Sequence, residues 1–385
     1  MSLFLTKLID RFLGSILIVL LSIFKFKRKL PKSPKSFLFI QLWGVGESIL
    51  TLPAMSHLRN HFPNAKIDVL CTSKNIACYK RFSDVDSVLL IQPNLFQVSS
   101  FILGCIFGSY SRYDVVIDME EYLNISSVMA LFSGRRTIGF AHGVRSLLFD
   151  AKVVFSDKQH MVKSFEDLLT PLEIFDRAAE LPSLKFPSSA LDSVLAKLND
   201  LGVGENFFIV VPPVAESGKA RMWNFKKYSK LADMLIEKYD IPCLVTGLPQ
   251  DKDLCESVSR VNALCFNTAG LFSLDEFFAL TRLAKLIVSN DTGSMHIGAA
   301  QKTPTIGLFG PNLPVRFGPF GSNNLSIYKE NACPFSPCIN VHKGEVPDCL
   351  YPKDSFNYSK CMKAISVEEV FESACSVLDK SLLKN

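Results

Sequence analysis

Three short stretches of this 385-residue chain gather side chains that can hold phosphate and move a proton. The first is Ser289-Asn290-Asp291-Thr292-Gly293-Ser294-Met295-His296, a polar turn between an apolar strand at 286–288 and a small-residue helix at 295–301. A helix N-terminus offers unpaired N–H groups and the positive end of the helix dipole, which suits the phosphates of a nucleotide. Asp291, Thr292 and Ser294 are capping types whose side chains also reach toward a ligand. Asp291 keeps several readings, because a carboxylate and a phosphate repel at close range. It faces an acceptor or a transferred sugar, or it caps the helix. His296, one turn in, is either a packed side chain or part of the site.

The second stretch is Ser217-Gly218-Lys219-Ala220-Arg221-Met222-Trp223, just past the strand at 207–211 and Pro212-Pro213. A hydroxyl, a glycine and two cations beyond a strand's carboxyl end suit a diphosphate leaving group, whose charge needs donors. Arg221 can grip phosphate oxygens with two parallel hydrogen bonds. The competing reading is a plain surface loop. The third stretch is Gly44-Val45-Gly46-Glu47-Ser48, between a strand at 37–42 and a helix reaching about residue 60. Its glycines, Gly44 and Gly46, allow close backbone approach to a ligand. Glu47 is either a helix-start carboxylate favoured by the dipole or a general base for a sugar hydroxyl. Asp84-Val85-Asp86 and Asp251-Lys252-Asp253 spell D-x-D, but neither sits cleanly at the end of a buried strand with a glycine turn, so no catalytic metal is expected; Asp251 or Asp253, which follow the strand at 243–246 and Gly247, cap a helix or touch a ribose hydroxyl.

These stretches sit on a repeated strand–helix alternation. Strands are expected at 37–42, 67–71, 87–91, 114–118 and 137–140, then at 207–211, 243–246, 286–288 and 305–309, with helices between them. Such alternation implies parallel sheets covered on both faces, with ligands at the carboxyl ends of the strands. Residues 102–107 read as a buried helix, and 157–205 as a helical connector. A length of 385, 48% hydrophobic residues and 31 Phe supply two cores, so two domains are expected.

At the start, residues 12–24 form a charge-free apolar run, followed by Lys25, Lys27, Arg28, Lys29, Lys32 and Lys35. Thirteen helical residues reach about 20 Å, short of a bilayer core of about 30 Å. The favoured reading is a retained monotopic anchor with its basic cluster on anionic lipid. A true span, a packed core helix and a signal peptide are the alternatives; for the last, Lys7 and Arg11 precede the run, but a basic cluster replaces a small-residue cleavage site. The net charge of +5 has no recurring basic-aromatic pattern, so no nucleic-acid partner is expected. Among 11 cysteines, Cys333, Cys338, Cys349 and Cys361 stand apart; they bind a structural metal, form disulfides or remain free thiols.

Residues 291–296, with Pro304 and Leu308-Phe309-Gly310-Pro311, resemble the signature of glycosyltransferase family 9, the ADP-heptose:lipopolysaccharide heptosyltransferases. The opening motif from Gly44 to Ala54, with Leu58-Arg59 and Phe62-Pro63, is similar to the family's first strand and helix. Arg221-x-Trp223 with Tyr228 and Leu231-Ala232 resembles the second-domain entry, and the late cysteines are similar to a pattern seen in many members. The resemblance runs from Phe37 to about Phe371. It implies a GT-B fold: α/β, two Rossmann-like doubly wound parallel-sheet domains facing across a cleft. The apolar and basic membrane-associating segment read from residues 12–35 precedes it and is not typical of the best-known heptosyltransferases. The expected divisions are 1–35 for that segment, 36–185 for an acceptor domain and 186–385 for a nucleotide-sugar domain.

The resemblance also implies inverting, metal-independent transfer with no cofactor, at the cytoplasmic face of the inner membrane. The implied partners are a nucleotide-sugar donor, ADP-heptose or similar, and a lipopolysaccharide-type or other lipid-linked acceptor. By carry-over, Glu47 stands where the family has its proposed catalytic Asp, and Arg221 where it has a phosphate-binding Lys. Asp291, Thr292, Gly293 and His296 match the donor signature; Ser294 lies within it, and Ser217 lies near the phosphate-contacting hydroxyls beside Lys219. Glu for Asp shifts the carboxylate by about one methylene, and Arg for Lys changes the geometry of the charge. The competing functions are an epimerase or hydrolase on the same scaffold, and a non-catalytic nucleotide-sugar-binding protein at a membrane.

Overall fold

The computed structural model describes residues 9–382 except 27, 93, 109–111, 215 and 341–343, and not the side chains of 95, 216, 217, 381 and 382. Lys7, and with it part of the signal-peptide alternative, lies outside the described residues. The chain forms two compact units, 1–178 with 341–344, and 179–340 with 345–385.

The first unit holds a parallel sheet of six strands: β1 (Ser36–Ile40), β2 (Lys66–Cys71), β3 (Ser87–Leu90), β4 (Val115–Asp118), β5 (Thr137–Phe140) and β6 (Ala151–Val153). Their order is β3-β2-β1-β4-β5-β6. The second unit repeats the plan with β7 (Phe208–Val211), β8 (Cys243–Val245), β9 (Cys265–Asn267), β10 (Ile287–Asn290), β11 (Thr305–Phe309) and β12 (Leu325–Tyr328), ordered β12-β11-β10-β7-β8-β9. Central strands such as β4, β7 and β10 are buried along their whole length, as expected for a sheet covered on both faces. Strands β6, β9 and β12 add to those expected from the sequence. Each has three or four residues, too few to show a period.

In both sheets the strand order reverses beside the first strand, between β1 and β4 and between β7 and β10. Loops leaving the two strands on either side of such a reversal part from each other, and the crevice between them is the usual ligand site of a doubly wound sheet. The loop after β1 feeds the helix whose first turn carries Glu47, and the loops after β7 and β10 carry Arg221 and Asp291.

The N-terminal segment packs into the first unit. Its described part is a π-helical turn, Asp10–Gly14, running into a helix, Ser15–Ile23. Ile18 is fully buried in a cluster with Val128 and Leu148. Lys25 turns inward to Asp150 (3.3 Å) and the Thr137 hydroxyl (2.9 Å). No described helix is long and apolar enough to cross a membrane. Residues 102–107 need a correction: they end the Leu95–Ile106 helix, which buries Val98, Phe101 and Cys105 but exposes Leu103, Ile106 and Phe107. The connector at 157–205 contains two helices, Met161–Asp167 and Ser188–Asp200, and the chain passes between units at 178–179.

Below the β1/β4 crevice lies a buried ion pair. Arg145 Nη2 meets Asp118 Oδ2 at 2.5 Å, and both side chains are sealed from solvent. The same guanidinium donates to the Leu123 carbonyl (3.1 Å), the Glu120 carbonyl and the Ser126 hydroxyl (3.0 Å). It therefore ties the whole β4 exit loop to the helix that follows. Removing one partner strands the other's charge in a dry site. Arg145→Leu should lower unfolding free energy by about 3–5 kcal/mol, and adding Asp118→Leu should recover part of the loss. Urea titration of the single and double variants measures both; an unaltered midpoint for Arg145→Leu would show that the pair contributes nothing.

Candidate active site

In the first unit the helix Val45–His61 starts directly after β1 and a short turn. Gly44 is its N-cap with φ +65°, a left-handed conformation that a side chain would strain. Gly46, expected to share the turn, instead lies within the first helical turn. Glu47 is the third helical residue and is half-buried. The turn is held by Asn75, a buried residue that follows β2. Its amide donates to the Gln41 carbonyl (3.0 Å) and to the Ser48 hydroxyl (2.8 Å), and Ser48 donates to the Gly44 carbonyl (2.7 Å). Its bond to Thr72 is a local turn contact, but the two partners of its amide lie 34 and 27 positions away, so nothing in the local sequence links Asn75 to this turn.

A second carboxyl belongs to this half-site. Glu120, in the loop after β4, is buried and accepts the Leu42 N–H at 2.5 Å. Burial above all, with repulsion from Glu47 and Asp118, pushes its carboxyl up to about 8. It is thus largely protonated at neutral pH and adds little negative charge beside Glu47. Tyr122 lies within reach of the same charges, including Glu47, Glu120 and Glu121.

In the second unit, Asn290 at the end of β10 binds two points of the loop after β7. Its amide donates to the Pro212 carbonyl (2.8 Å), and its carbonyl oxygen accepts the Trp223 N–H (2.9 Å). Trp223 is buried, donates from its indole to the Ile365 carbonyl (3.1 Å) and packs edge-on against Tyr228 (4.9 Å between centroids). This clamp places Arg221. Its guanidinium lies across Gly218, where a Cβ would stand 2.3 Å from Nη2. Nη1 donates to the Asp291 carbonyl at 3.4 Å, while Nε is buried with no hydrogen-bond partner among the described residues. Lys219 is exposed. Ser217 sits in the same 3-10 turn, but its side chain lies outside the described residues.

The helix Gly293–Ala300 follows, with Thr292 as N-cap. The expectation that Asp291, Thr292 or Ser294 would close its first turn needs correcting. No side-chain cap is made; the Thr292 hydroxyl turns back to Ser289 (3.1 Å), and the Asp291 carboxylate accepts the Asn312 amide (3.1 Å). Burial raises the Asp291 carboxyl above its ordinary value, while Arg221 and Asn312 pull it down. Thr292, Gly293 and Ser294 remain partly exposed at the helix start, and His296 is buried behind them. Structure therefore brings together Arg221, Asp291, Thr292, Gly293 and Ser294 and sets the His296 ring into the packed interior.

The late cysteines also converge. Cys333, Cys338, Cys349 and Cys361 line one small cavity with Phe335 and Tyr351. All are free thiols, and among the described residues no group of three or more His, Cys, Asp or Glu could hold a metal ion. Burial pushes Cys361 up to about 12, which leaves it a protonated, unreactive thiol at neutral pH. This segment braces the phosphate-side loop instead: Asp348 accepts the Ala220 N–H (2.9 Å), and Ser359 donates to the Ala220 carbonyl (2.6 Å). The D-x-D residues hold the fold. Asp86 pairs with Arg59 (2.8 Å), Asp84 accepts from Ser56 (2.6 Å), and Asp251 accepts the Leu248 N–H (2.9 Å).

The family model of glycosyltransferase family 9 (heptosyltransferase) matches residues 109–343, more than half of the chain. Lipooligosaccharide heptosyltransferase 2 of Haemophilus ducreyi is 38% identical over 326 residues, covering 79% of this chain and 90% of that protein. In three dimensions the chain is similar to a glycosyl transferase family 9 protein of Veillonella parvula (TM-score 0.76, 17% identity, 91% of this chain and 99% of that one). It is likewise similar to ADP-heptose lps heptosyltransferase II of E. coli (TM-score 0.68, 19% identity, 90% and 99%). At these identities the two structures speak for the fold: paired parallel sheets of the GT-B kind.

The raised Glu120 carboxyl makes stability depend on pH. The folded state keeps a proton that the unfolded chain releases near 4.5, so this stability is full below that pH and declines as pH rises toward 8. Glu120→Gln keeps an acceptor for Leu42 and cannot ionise. Relative to wild type it should gain unfolding free energy between about pH 5 and about pH 8, by at most roughly 1.4 kcal/mol per pH unit. Denaturant titrations across that range measure the gain; parallel curves for the two proteins would mean that Glu120 is ionised throughout.

Proposed function

Because this chain belongs to glycosyltransferase family 9 (heptosyltransferase) and so is a glycosyltransferase, we propose that it moves a sugar from a nucleotide diphosphate onto a lipid-linked glycan of the lipopolysaccharide-core type, with inversion and without a metal. ADP-heptose is the proposed donor. The Haemophilus ducreyi relative is named for heptose transfer to lipooligosaccharide, and the E. coli neighbour for ADP-heptose. The acceptor is assigned to the first unit and the donor to the second. The observation that carries this reading is the pairing of Arg221, whose buried Nε has no partner among the described residues, and a helix start beside Asp291 whose N-cap makes no side-chain hydrogen bond to it.

In the proposed reaction the Glu47 carboxylate takes the proton of the acceptor hydroxyl. The freed oxygen attacks the anomeric carbon opposite the diphosphate. A new C–O bond forms, the bond to the diphosphate oxygen breaks, and the anomeric configuration inverts. The departing nucleoside diphosphate carries the electron pair away as negative charge. Arg221, Lys219 and the backbone N–H groups near Thr292 and Gly293 answer that charge. The raised Glu120 carboxyl, held up mainly by burial, supports the role by limiting the negative charge beside Glu47. The lipid of the acceptor confines the work to a membrane surface, proposed as the cytoplasmic face of the inner membrane, with residues 12–24 lying on it as a monotopic element.

Glu47→Gln should abolish transfer while leaving the affinity for ADP nearly as in wild type; mass-spectrometric detection of product with ADP-heptose and membrane extract reads the first, calorimetry the second. Turnover retained in that variant would remove Glu47 as the base. Arg221→Ala should weaken nucleotide-diphosphate binding by about tenfold to a hundredfold, the worth of one bidentate charged contact. An unchanged affinity would remove its phosphate role.

A further inference from the structure

The helical segment at 10–23 is built inside out. A surface helix in water turns its polar side chains outward. Here Asp10, Gly14, Ser15, Ile18 and Leu21 face the first unit, whereas Phe12, Leu13, Ile16, Leu20, Ile23 and Phe24 are exposed, Phe24 to 79%. The inner face is fitted, not incidental. Asp10 accepts the N–H groups of Asn124 (2.9 Å) and Ile125 (2.8 Å), capping the Asn124–Ser133 helix. A side chain on Gly14 would stand 3.0 Å from Asn124 Cβ. The outward apolar face is therefore held in place by specific contacts on the other side.

A second element adds to this face. The Leu95–Ile106 helix rests on the same floor: Ile102 joins Ile18, Leu21, Val128 and Phe132 in one cluster. Its outer side presents Phe96, Leu103, Ile106 and Phe107, spaced to fall on one side of a helix, and Phe107 is 79% exposed. Two helices of one unit thus each carry a row of exposed apolar side chains, the kind of surface that marks an interaction site when it is contiguous. Cations border it. Arg28, Lys29 and Lys32 are exposed just beyond the first helix, and Arg136 donates to the Lys29 carbonyl at 2.6 Å, which fixes the basic segment to the unit.

We propose that the outward faces of segment 10–23 and of the Leu95–Ile106 helix form one composite seat for the interfacial layer of an anionic lipid bilayer. Apolar side chains enter the headgroup–acyl boundary, and the flanking cations meet lipid phosphate. This deepens the membrane-surface reading above and rests on it, but replaces a detachable N-terminal anchor with a surface that includes the folded domain. It also aims the site. Asp10 caps the helix whose preceding loop carries Glu120 and Glu121, so the seat and the carboxylate crevice share one rigid element. A lipid-linked hydroxyl would thus meet the crevice without leaving the interface.

The test is flotation of the full chain with phosphatidylglycerol–phosphatidylethanolamine vesicles and with phosphatidylcholine vesicles. Wild type should float with the anionic set and at least about tenfold less with the neutral one. Leu103→Glu/Phe107→Glu and Ile16→Glu/Leu20→Glu should each lower flotation by about tenfold or more, with melting temperatures unchanged because all four side chains are exposed. Phe96→Ser/Ile106→Ser probes the same second helix if the first pair fails to fold. Flotation lost only in the Ile16/Leu20 pair overturns the composite seat and leaves the N-terminal anchor standing. Wild type that floats with neither set overturns both, and equal flotation on both sets overturns the role of the cations. A lipid-free dimer in sedimentation that Leu103→Glu/Phe107→Glu converts to monomer would assign the face to a second copy of this chain instead.

Discussion

Both units depend on one topological constraint, the reversal of strand order beside the first strand of a parallel sheet. Parallel strands connected by right-handed crossovers send every loop out at the same end. Where the order reverses, two loops leave in opposite directions and open a crevice that no helix fills. The loops that bound it here come from β1 and β4 in one unit and from β7 and β10 in the other. Glu47, Glu120, Arg221 and Asp291 all lie in these four loops or in the first turn of the helices they feed. The rest of each sheet holds those four strand ends in register.

Burial of charge is the second organising theme. The Asp118–Arg145 pair and the Asn290 clamp are both desolvated and fully engaged, so each fixes a loop with little slack. Burial raises the Asp118, Glu120 and Asp291 carboxyls alike; Asp118 answers it with the Arg145 ion pair, Asp291 with the Asn312 amide and Glu120 with the Leu42 N–H. The engaged groups make a frame, and the raised carboxyls make a chemical environment. Arg221 joins both: its main chain is set by Trp223 and the Asp348–Ala220 contact, and its guanidinium retains a buried donor with no partner among the described residues.

Much of the fold is legible in the sequence because a parallel sheet advertises itself locally. An apolar run, a glycine or polar turn and a helix start are neighbours along the chain, so local pattern alone places Gly44–Glu47 and Asp291–Ser294 at strand exits. Short edge strands carry no such mark, since β9 and β12 owe their form to neighbours already in place. Nor does the outward side of the Leu95–Ile106 helix, because apolar residues on both faces of a helix look the same in sequence whether both are covered or one is bare.

By itself, then, the sequence determined which kinds of side chain follow which strands, and so the class of fold and the positions of Glu47, Arg221 and Asp291 along it. These are short-range properties of a chain that turns within a few residues. Tertiary structure alone decided that Glu120 is buried beside Glu47, that Asn75 and Asn290 lock the two turns, that Arg221 folds over Gly218 to Asp291, and that four distant cysteines gather in the segment that braces Ala220. Each depends on groups brought together from different elements, and on the loss of water around them, neither of which has a counterpart in local sequence.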